Sequence, residues 1–578
     1  MRKMFSTLAI IWRLASPYFR SEDKWAGRIL LAAVIVIELS IVGINVLLNS
    51  WNNSFYNALQ DKDWNGFVYQ LGFFCALATA FILLAVYQLY LNQWLQIRWR
   101  RWLTRTYLDH WLEGANHYRM QLLGDAADNP DQRIADDIRQ FIELTLNIGL
   151  QLLNSCVTLL SFLAILWGLS AAAPVHLFGA KLDIPGYLLW AALIYACIGT
   201  ALTHLIGRAL IALNFQQQRY EADFRFNLVR VRENSEQIAL LNGERTERDR
   251  LLLRFGSVVA NWMAIMSRQK KLTFFTAGYS QASVVFPFVM VSPAYFAGAI
   301  QLGGLMQTAN AFGQVQNALS VFVTLYRNLA EWRAVIERLA GFDQSVAAAR
   351  AIAPPVITVN SGDAATVSFH DLLVRFPNGI PLVNANDIVF KPGERVLVTG
   401  PSGAGKSTLF RALAGVWPFG KGAITIPKSA RMMILPQRPY FPIAPLAAAV
   451  AYPAEPGQFD AATVAELIGA VGLSALVSRI EEEAHWNRML SLGEQQRLGI
   501  ARALLYCPDF LFLDEATASL DEPSETALYQ LLDQRLPRAT IVSIGHRATL
   551  AAFHRRRLAF IRTGDRHVVQ ETALSPAS

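Results

Sequence analysis

The chain contains 578 residues, of which 53% are hydrophobic and only 17% are charged, and its mean hydropathy is +0.28. Soluble domains average about 25% charged residues, so this composition excludes a wholly soluble protein and favours a chain partly embedded in membrane lipid. The net charge of +8 would also suit a nucleic-acid-binding protein. The basic residues lie beside apolar stretches, however, where membrane orientation explains them better, so we expect no nucleic-acid partner.

The four cysteines of the chain are spread without any CxxC pair, and three of them lie in apolar stretches. This pattern is typical of small buried hydrophobic side chains rather than of a disulfide framework or a metal site. The four are Cys75, Cys156, Cys197 and Cys507.

The N-terminal segment predicts an amphipathic helix on the membrane surface rather than a signal peptide. Its apolar part is short, is interrupted by Arg13, and has no evident small-residue cleavage site. Bulky apolar residues alternate with basic ones, as expected of a helix that lies in the interface. These residues are Phe5, Leu8, Ile11, Trp12 and Phe19, with Arg2, Lys3, Arg13 and Arg20.

Several stretches before residue 330 are long and apolar enough to cross a membrane, which requires about 20 residues. Five are evident: Ile29–Leu48, Phe67–Leu91, Ile148–Leu169, Tyr187–Leu205 and Phe274–Ala299. A weaker sixth span is expected from Leu305 to Tyr326. It carries amides at spacings of three and four, which place them on one helical face: Gln307, Asn310, Gln314 and Asn317. Because lipid exposure of amides is costly, we expect this face to line a protein contact or a water-filled substrate path.

The connecting loops predict the orientation of the spans. Arginine and lysine are concentrated between the second and third spans and between the fourth and fifth, whereas the other loops hold only Lys62 and Lys181. By the positive-inside rule both termini are cytoplasmic, which agrees with six spans. Glu38, in the middle of the first span, has two interpretations: a carboxylate paired with another helix or protonated, or a substrate or proton site on the same path.

A phosphate-binding loop follows the apolar run Gly393 to Thr399 and precedes an apparent helix. A strand, a glycine loop and a helix form the arrangement that cradles phosphates with backbone N–H groups and a helix N-terminus. Lys406 is expected to reach the β- and γ-phosphates of ATP, and the Ser407 hydroxyl to bind Mg²⁺. The loop comprises Gly400, Pro401, Ser402, Gly403, Ala404, Gly405, Lys406, Ser407 and Thr408.

Acidic residues end a second apolar strand, Phe510 to Glu515. Asp514 is the expected Mg²⁺ ligand, directly or through water, and Glu515 is expected to polarise the attacking water. Gln437 follows another short strand and can contact both the metal and the water. His546 ends the strand ATIVSIGH, from where it can reach the γ-phosphate. We therefore predict that Glu515, His546 and Gln437 are the catalytic residues.

Two further motifs complete the set in a fixed order. LSLGEQQR, from Leu490 to Arg497, opens a helix, and Ser519-Leu520-Asp521 follows the acidic strand. The six elements together resemble the ATPase domain of an ABC transporter, an α/β P-loop NTPase fold, and LSLGE resembles the family's signature motif. The resemblance implies nucleotide contacts at Ser491, Gly493, Glu494 and Asp521, and an adenine stack on Phe376.

The resemblance covers the whole chain, because six spans, a linker and an ATPase domain form the layout of a half-transporter with an exporter-like α-helical membrane domain. The signature motif of one subunit closes on the ATP of the other, which implies a homodimer. Leu492 replaces a glycine of the common signature, and a conformation with positive φ would be costly there. The expected domains are 1–346 in the membrane, a linker at 347–362, and the ATPase at 363–578.

The membrane half is similar to the bacterial BacA/SbmA-like transporters and to the peroxisomal fatty-acyl transporters. This similarity is carried by WLTRTYLDHWL, by the segment from Asn129 to Phe141, and by the segment from Glu233 to Glu247. It implies an ATP-driven transporter of the bacterial inner membrane that takes up hydrophilic solutes such as peptides or cobalamin-like molecules. The alternatives are a lipid or fatty-acyl transporter, an exporter, an ATP-gated pore or regulator, and an inactive scaffold.

Overall fold

The computed structural model describes residues 10–123, 129–172, 175–177, 180–182, 185–351, 356–455 and 457–572. The chain divides into two compact units. The helical unit comprises Met1–Leu108 and Asn129–Phe342, and the sheet unit comprises Asp109–Asp128 and Asp343–Ser578.

Long helices dominate the chain up to residue 350. Two short elements, Pro130–Gln132 and the π-helical turn Arg133–Asp137, lead into the fourth helix, and an antiparallel hairpin of β1 (Val175–Leu177) and β2 (Ala180–Leu182) follows it. The helices are α1 Lys24–Gln60, α2 Trp64–Leu112, α3 Asn116–Leu122, α4 Ile138–Ala172, α5 Tyr187–Glu233, α6 Ser235–Leu240, α7 Glu244–Phe296 and α8 Leu302–Arg350.

Five helices of the described chain are long and apolar enough to cross a membrane, and each is longer than the predicted span that it overlaps. They are Lys24–Gln60, Trp64–Leu122, Pro130–Ala171, Tyr187–Glu233 and Glu244–Phe296. The predicted sixth span lies within α8, a helix of 49 residues that is not among the five. A sixth membrane crossing therefore stays a prediction.

Glu38 is buried between helices of its own chain. It occupies the buried face of α1, on which Val34 and Val42 precede and follow it by one turn. Asn154 of α4 donates a hydrogen bond of 2.6 Å to Oε1 of Glu38, and Gln88 of α2 donates to Oε2. Of the two interpretations of this carboxylate, the structure shows the paired one, and a role in proton or substrate binding stays a prediction.

Amides also join α1 to the beginning of α8. The fully buried Asn49 donates from Nδ2 to the carbonyl of Gln307 at 3.0 Å and to Oδ1 of Asn310 at 3.1 Å. Asn57 accepts from the backbone N–H of Gly303 at 2.8 Å. A Cβ atom at Gly303 would lie 2.0 Å from the carbonyl oxygen of Asn53, so this approach requires glycine.

The N-terminal segment packs onto α2 rather than lying wholly on a surface. Tyr18 is fully buried and stacks on Trp99, with ring centroids 5.7 Å apart. Asp23 forms an ion pair of 2.7 Å with Arg98. Trp12 is exposed, in agreement with an interfacial position, whereas Phe5 and Leu8 lie outside the described residues.

The prediction that the cysteines are buried is wrong. All four are free thiols, and all four are exposed. For Cys75, Cys156 and Cys197 the apolar surroundings misled the interpretation, because apolar helices that cross a membrane also turn apolar side chains outward, toward lipid. Cys507 is the C-cap of α13.

The sheet unit is built around one large mixed sheet. Its strands are β3 Thr358–Gly362, β4 Val367–Arg375, β5 Pro381–Ala385, β6 Val389–Phe390, β7 Arg395–Thr399, β8 Gly420–Pro427, β9 Met432–Leu435, β12 Phe510–Asp514, β13 Thr540–Ile544, β14 Arg556–Thr563 and β15 Arg566–Thr572. A separate pair is formed by β10 Ala444–Pro445 and β11 Glu483–Ala484. The strand order of the large sheet is β3-β8-β4-β5-β15-β14-β7-β13-β12-β9, and β6 pairs with β4.

Helices cover the parallel part of this sheet, whose strands β7, β12 and β13 are therefore buried runs of apolar residues. The largest apolar cluster of the unit packs strand residues Leu511 and Ile541 against helix residues such as Leu498 and Leu532. The helices are α9 Lys406–Leu413, α10 Leu446–Ala451, α11 Ala461–Ala470, α12 Trp486–Met489, α13 Leu492–Tyr506 and α14 Glu522–Arg535.

The predicted domain boundaries stay a prediction, and two features of the structure bear on them. In the predicted linker, α8 continues to Arg350 and β3 pairs in parallel with β8, so both ends of that segment hold regular structure. Residues 109–128 belong to the sheet unit, where Arg119 donates to the carbonyl of Gly415 at 3.3 Å and Leu122 packs on the core. Composition could not reveal this, because the segment continues a membrane helix.

A buried ion cluster in the helical unit ties the beginning of α4 to α8. Asp137, only 1% exposed, accepts from Arg133 at 2.8 Å and from Arg338 at 2.6 Å. Arg133 and Asp137 both lie in the π-helical turn, and the Arg133 side chain is itself buried. Removal of the carboxylate leaves two guanidinium groups without their buried anion.

We expect Asp137→Ala to destabilise the protein by about 3 kcal/mol, the usual cost of breaking a buried charge pair. The measurement is the thermal unfolding of the full chain in detergent. Asp136→Ala is the matched control, because the Asp136 side chain is 53% exposed and lies 4.0 Å from Arg139; it should cost less than about 1 kcal/mol. Equal shifts for both variants would contradict the structural role of the cluster.

Candidate nucleotide site

The parallel strands bring the predicted site residues to one edge of the sheet. Asp514 pairs with Ile544, and Ile544 pairs with Val398, so β12, β13 and β7 end at the same level. Gly400 directly follows β7, and Glu515 directly follows β12. His546 comes two residues after the end of β13.

The phosphate loop adopts a conformation that glycine permits. Gly403 and Gly405 have φ angles of 77° and 92°, in the left-handed region where other residues are strained. A Cβ atom at Gly405 would also lie 2.4 Å from Cγ2 of Val383. Lys406 begins α9, so the loop's N–H groups and the positive end of the helix dipole meet at one point.

Lys406 is held inside this loop. Its side chain is largely buried, and Nζ donates to the carbonyls of Gly400 at 2.7 Å and Pro401 at 3.0 Å. Nζ also lies 3.2 Å from Nε2 of His546. Burial lowers the pKa of Lys406, while the nearby Glu515 and Asp514 carboxylates raise it. The ammonium group is thus placed at the mouth of the loop, where phosphate oxygens would bind.

Oxygen ligands for a divalent cation lie next to this lysine. The Ser407 hydroxyl donates to Oδ1 of Asp514 at 2.8 Å. Burial raises the pKa of Asp514, the Ser407 hydrogen bond lowers it, and the neighbouring Glu515 carboxylate raises it. A hydroxyl and a carboxylate in contact are the hard oxygen donors that Mg²⁺ prefers, so the residues present fit this ion.

The three predicted catalytic side chains are brought together. Gln437 donates from Nε2 to Oε2 of Glu515 at 3.2 Å, and Nε2 of His546 lies 3.6 Å from Oε1 of Glu515. Glu515 has a φ of 52°, which costs a non-glycine residue on the order of 1–3 kcal/mol and is characteristic of functional sites.

The signature segment accommodates Leu492 and Glu494 at the beginning of a helix. Ser491 is the N-cap of α13 and forms a capping box with Glu494, whose Oε2 accepts from the Ser491 N–H at 2.8 Å. Leu492 is the first residue of the helix, so the position needs no positive φ and leucine is tolerated. A Cβ atom at Gly493 would lie 3.2 Å from Cδ2 of Leu520 and 3.4 Å from the Ser519 carbonyl oxygen.

Other predicted nucleotide residues lie apart within a single chain. Ser491 is exposed, Phe376 is 41% exposed, and Asp521 is the exposed N-cap of α14. Among the hydrogen bonds of the described residues, none connects Ser491 or Phe376 to the phosphate loop. Their contacts with nucleotide stay predictions.

Sequence reasoning missed Gln496, a polar residue that the structure buries at the centre of the site. It is 1% exposed and hydrogen bonds to the backbone of Gln437 and of Ser519. The available signal was its position in α13, where Gln495 and Leu498 to Leu505 are also buried. An uncharged amide inside such a buried run requires polar partners.

Two residues of the predicted substrate path, Asn310 and Glu38, also hydrogen bond to side chains of other helices. Ala311, Phe312 and Val315 form the buried face of α8, whereas Asn310 and Asn317 are exposed and Gln307 and Gln314 are half-buried. Asn310 accepts a hydrogen bond from Asn49, so this member of the row also serves helix packing. Glu38 makes its own contacts with Gln88 and Asn154.

The sheet unit therefore has the features of a P-loop nucleotide hydrolase, joined in one chain to helices that can cross a membrane. Residues 14–296 match the family described as ABC transporter transmembrane region 2, and residues 383–518 match the ABC transporter family. The chain belongs to the ABC transporter family, as a half-transporter with an exporter-like fold that hydrolyses ATP.

Individual proteins agree with this family. The inner membrane ABC transporter ATP-binding protein YddA of Escherichia coli is 36% identical, over 92% of this chain and 94% of its own. A lysosomal cobalamin transporter of Mus musculus, ABCD4, is 25% identical over 94% of this chain and 92% of its own. A solved bacterial Atm1-family ABC exporter with ATP bound shares the fold, with a TM-score of 0.67, 16% identity, and coverage of 93% of this chain and 94% of that one.

We expect Glu515→Gln to preserve ATP binding and to reduce turnover roughly 10²–10⁴-fold, which is the usual contribution of a positioned base. Lys406→Ala should instead weaken nucleotide binding, because the cation in the phosphate loop is lost. Glu522→Gln is the matched control, since Glu522 is an exposed carboxylate on α14, seven residues further along the chain. Near-normal hydrolysis by purified Glu515→Gln protein would overturn the assignment.

Proposed function

We propose that this half-transporter is a homodimer of the bacterial inner membrane that takes up hydrophilic solutes, such as peptides or cobalamin-like molecules. The observation that carries the ATP-driven part is the convergence of Lys406, Glu515 and His546 at one sheet edge. The polar cargo is supported by the exposed amides on α8 and by the similarity to a cobalamin transporter. The location is supported by the similarity to an inner membrane protein. With six spans, the positive-inside rule favours cytoplasmic positions for both termini.

The geometry of the site explains how hydrolysis would proceed. The phosphate loop and Lys406 bind the β- and γ-phosphates, and Ser407 with Asp514 would hold Mg²⁺, which neutralises charge on the phosphates when bound. Glu515, oriented by Gln437, accepts hydrogen bonds from the attacking water, and His546 is placed to contact the γ-phosphate. Phosphoryl transfer needs little besides such positioning and electrostatic stabilisation. The energy of ATP binding and hydrolysis would then change which side of the membrane the substrate path faces.

The homodimer is proposed because one chain carries one phosphate loop and one signature motif. Half-transporters of this family typically act as dimers. Ser491 is exposed at the start of α13, where a second chain can approach it, and Ser402 is exposed in the phosphate loop. Two composite sites would result, each formed by the loop of one chain and the signature of its partner.

Cysteines placed at Ser402 and Ser491 should crosslink between chains when ATP is bound to the Glu515→Gln variant. The four native cysteines are exposed and must first be replaced, since each would react with the crosslinker. Proteins with only one of the two new cysteines are the controls, and they should give no crosslink between positions 402 and 491. Crosslinks confined within single chains would sink the homodimer proposal.

Uptake into proteoliposomes tests the cargo. The vesicles to use are those in which the ATPase units face the lumen and ATP is enclosed there. We expect labelled peptide or cobalamin to accumulate in the lumen, acyl-CoA to move little, and the Glu515→Gln protein to transport neither. Alanine at Gln314 and Asn317 should reduce uptake several-fold while ATPase activity changes little, because polar cargo needs polar partners in an aqueous path. Leu160→Ala is the control, since Leu160 is exposed on the chain but apolar. Preference for acyl-CoA would favour the lipid carrier, and ATP-independent flux down a gradient would favour the pore.

A further inference from the structure

Gln496 connects three segments of the ATP site through their backbones. Its Nε2 donates to the Gln437 carbonyl at 3.0 Å and, more weakly, to the Glu515 carbonyl at 3.5 Å. Its Oε1 accepts from the Ser519 N–H at 3.0 Å. The side chain is 1% exposed and belongs to the second turn of α13, the helix that begins directly after Ser491.

A primary amide is the group that these contacts require. Both N–H groups have a carbonyl to meet, and the oxygen has an N–H, so a single side chain bonds to three backbone groups. The Glu515 carbonyl also accepts from the Ala518 N–H at 3.1 Å. Because the bonds go to backbone atoms, they fix the main-chain positions from which the Gln437 and Glu515 side chains extend. Gln496 itself makes no contact with Lys406, Ser407 or Asp514 among the hydrogen bonds of the described residues.

We propose that Gln496 is a positioning residue for ATP hydrolysis. It fixes the main-chain positions of Gln437 and Glu515 relative to each other and to α13, the helix that begins after Ser491. Gln437 and Glu515 meet at 3.2 Å through long side chains, and their relative position depends on their main chains. A shift of one ångström in such a pair is enough to cost up to about a hundredfold in rate. Binding of ATP depends on the phosphate loop instead, and this loop receives no bond from Gln496.

Gln496→Glu tests the proposal with little change in shape. The carboxylate keeps an acceptor for the Ser519 N–H but turns an oxygen toward the carbonyls of Gln437 and Glu515. At about pH 8 we expect kcat to fall about tenfold or more, while the affinity for a fluorescent ATP analogue changes less than about threefold. Burial raises the pKa of a carboxyl group, and the protonated form can donate one hydrogen bond. The kcat of the variant relative to the native protein should therefore rise as the pH is lowered toward about 6.

Gln495→Leu is the matched control for Gln496→Leu. Gln495 is the adjacent buried glutamine, and its bonds go to Asn487 and to the Leu490 carbonyl rather than to Gln437, Glu515 or Ser519. Thermal unfolding of both full-length variants measures the general cost of losing a buried amide from α13. We expect similar losses in Tm, with a drop in kcat at least fivefold larger for Gln496→Leu.

The outcomes separate positioning from mere stability. A Gln496→Glu protein with kcat within twofold of the native value at about pH 8 overturns the proposal. Equal losses of kcat in Gln495→Leu and Gln496→Leu do so as well, because any buried amide would then have the same effect. If Gln496→Leu fails to fold, the Glu variant and its pH profile decide alone, and a flat ratio of kcat across pH counts against the proposal.

Discussion

The parallel pairing of β7, β13 and β12 is the constraint on which the catalytic half of the molecule depends. Each strand is short, apolar and buried, and backbone hydrogen bonds fix their register. Because parallel strands share a direction, the residues that follow them emerge at one edge. The phosphate loop, the acidic pair at 514 and 515, and His546 are thereby assembled from segments up to about 146 positions apart in sequence, from Gly400 to His546. A slip of one residue in β12 would turn Asp514 to the other side of the sheet.

Charge at this edge is oriented by contacts within the protein itself. Lys406 is buried beside two carboxylates, and its ammonium donates to two carbonyls of the loop. Asp514 is stabilised by the Ser407 hydroxyl. Groups that are already desolvated and oriented need little reorganisation when phosphate charge enters, which is how a preorganised site lowers a barrier. The left-handed backbone of Glu515 is part of the same arrangement, since its strain is sustained by the surrounding sheet.

Much of the sheet unit could be predicted from sequence because its signals are local. A glycine loop between a strand and a helix, and acids at the end of an apolar run, report on neighbouring residues only. The spanning helices were equally evident from length and hydropathy. The role of Gln496 could not be predicted, because its partners at 437 and 519 are distant in sequence and are backbone atoms. The pairing of Glu38 depends on which helices α1 meets, and the exposure of the three cysteines in the spanning helices depends on helix rotation. An apolar composition specifies neither.

The assignment of residues 109–128 to the sheet unit bears on how that unit can be isolated. Helix α3 places Leu122 on the core formed by the strands, and Arg119 caps the carbonyl of Gly415, just after the phosphate-loop helix. An ATPase fragment cut from the chain at residue 343 would leave this patch uncovered, with an apolar surface open to water and one carbonyl without its partner. The boundary of a folding unit here is therefore not a point in the sequence: the catalytic body includes a piece of chain that precedes most of the membrane helices, and it is complete only after both parts have been synthesised.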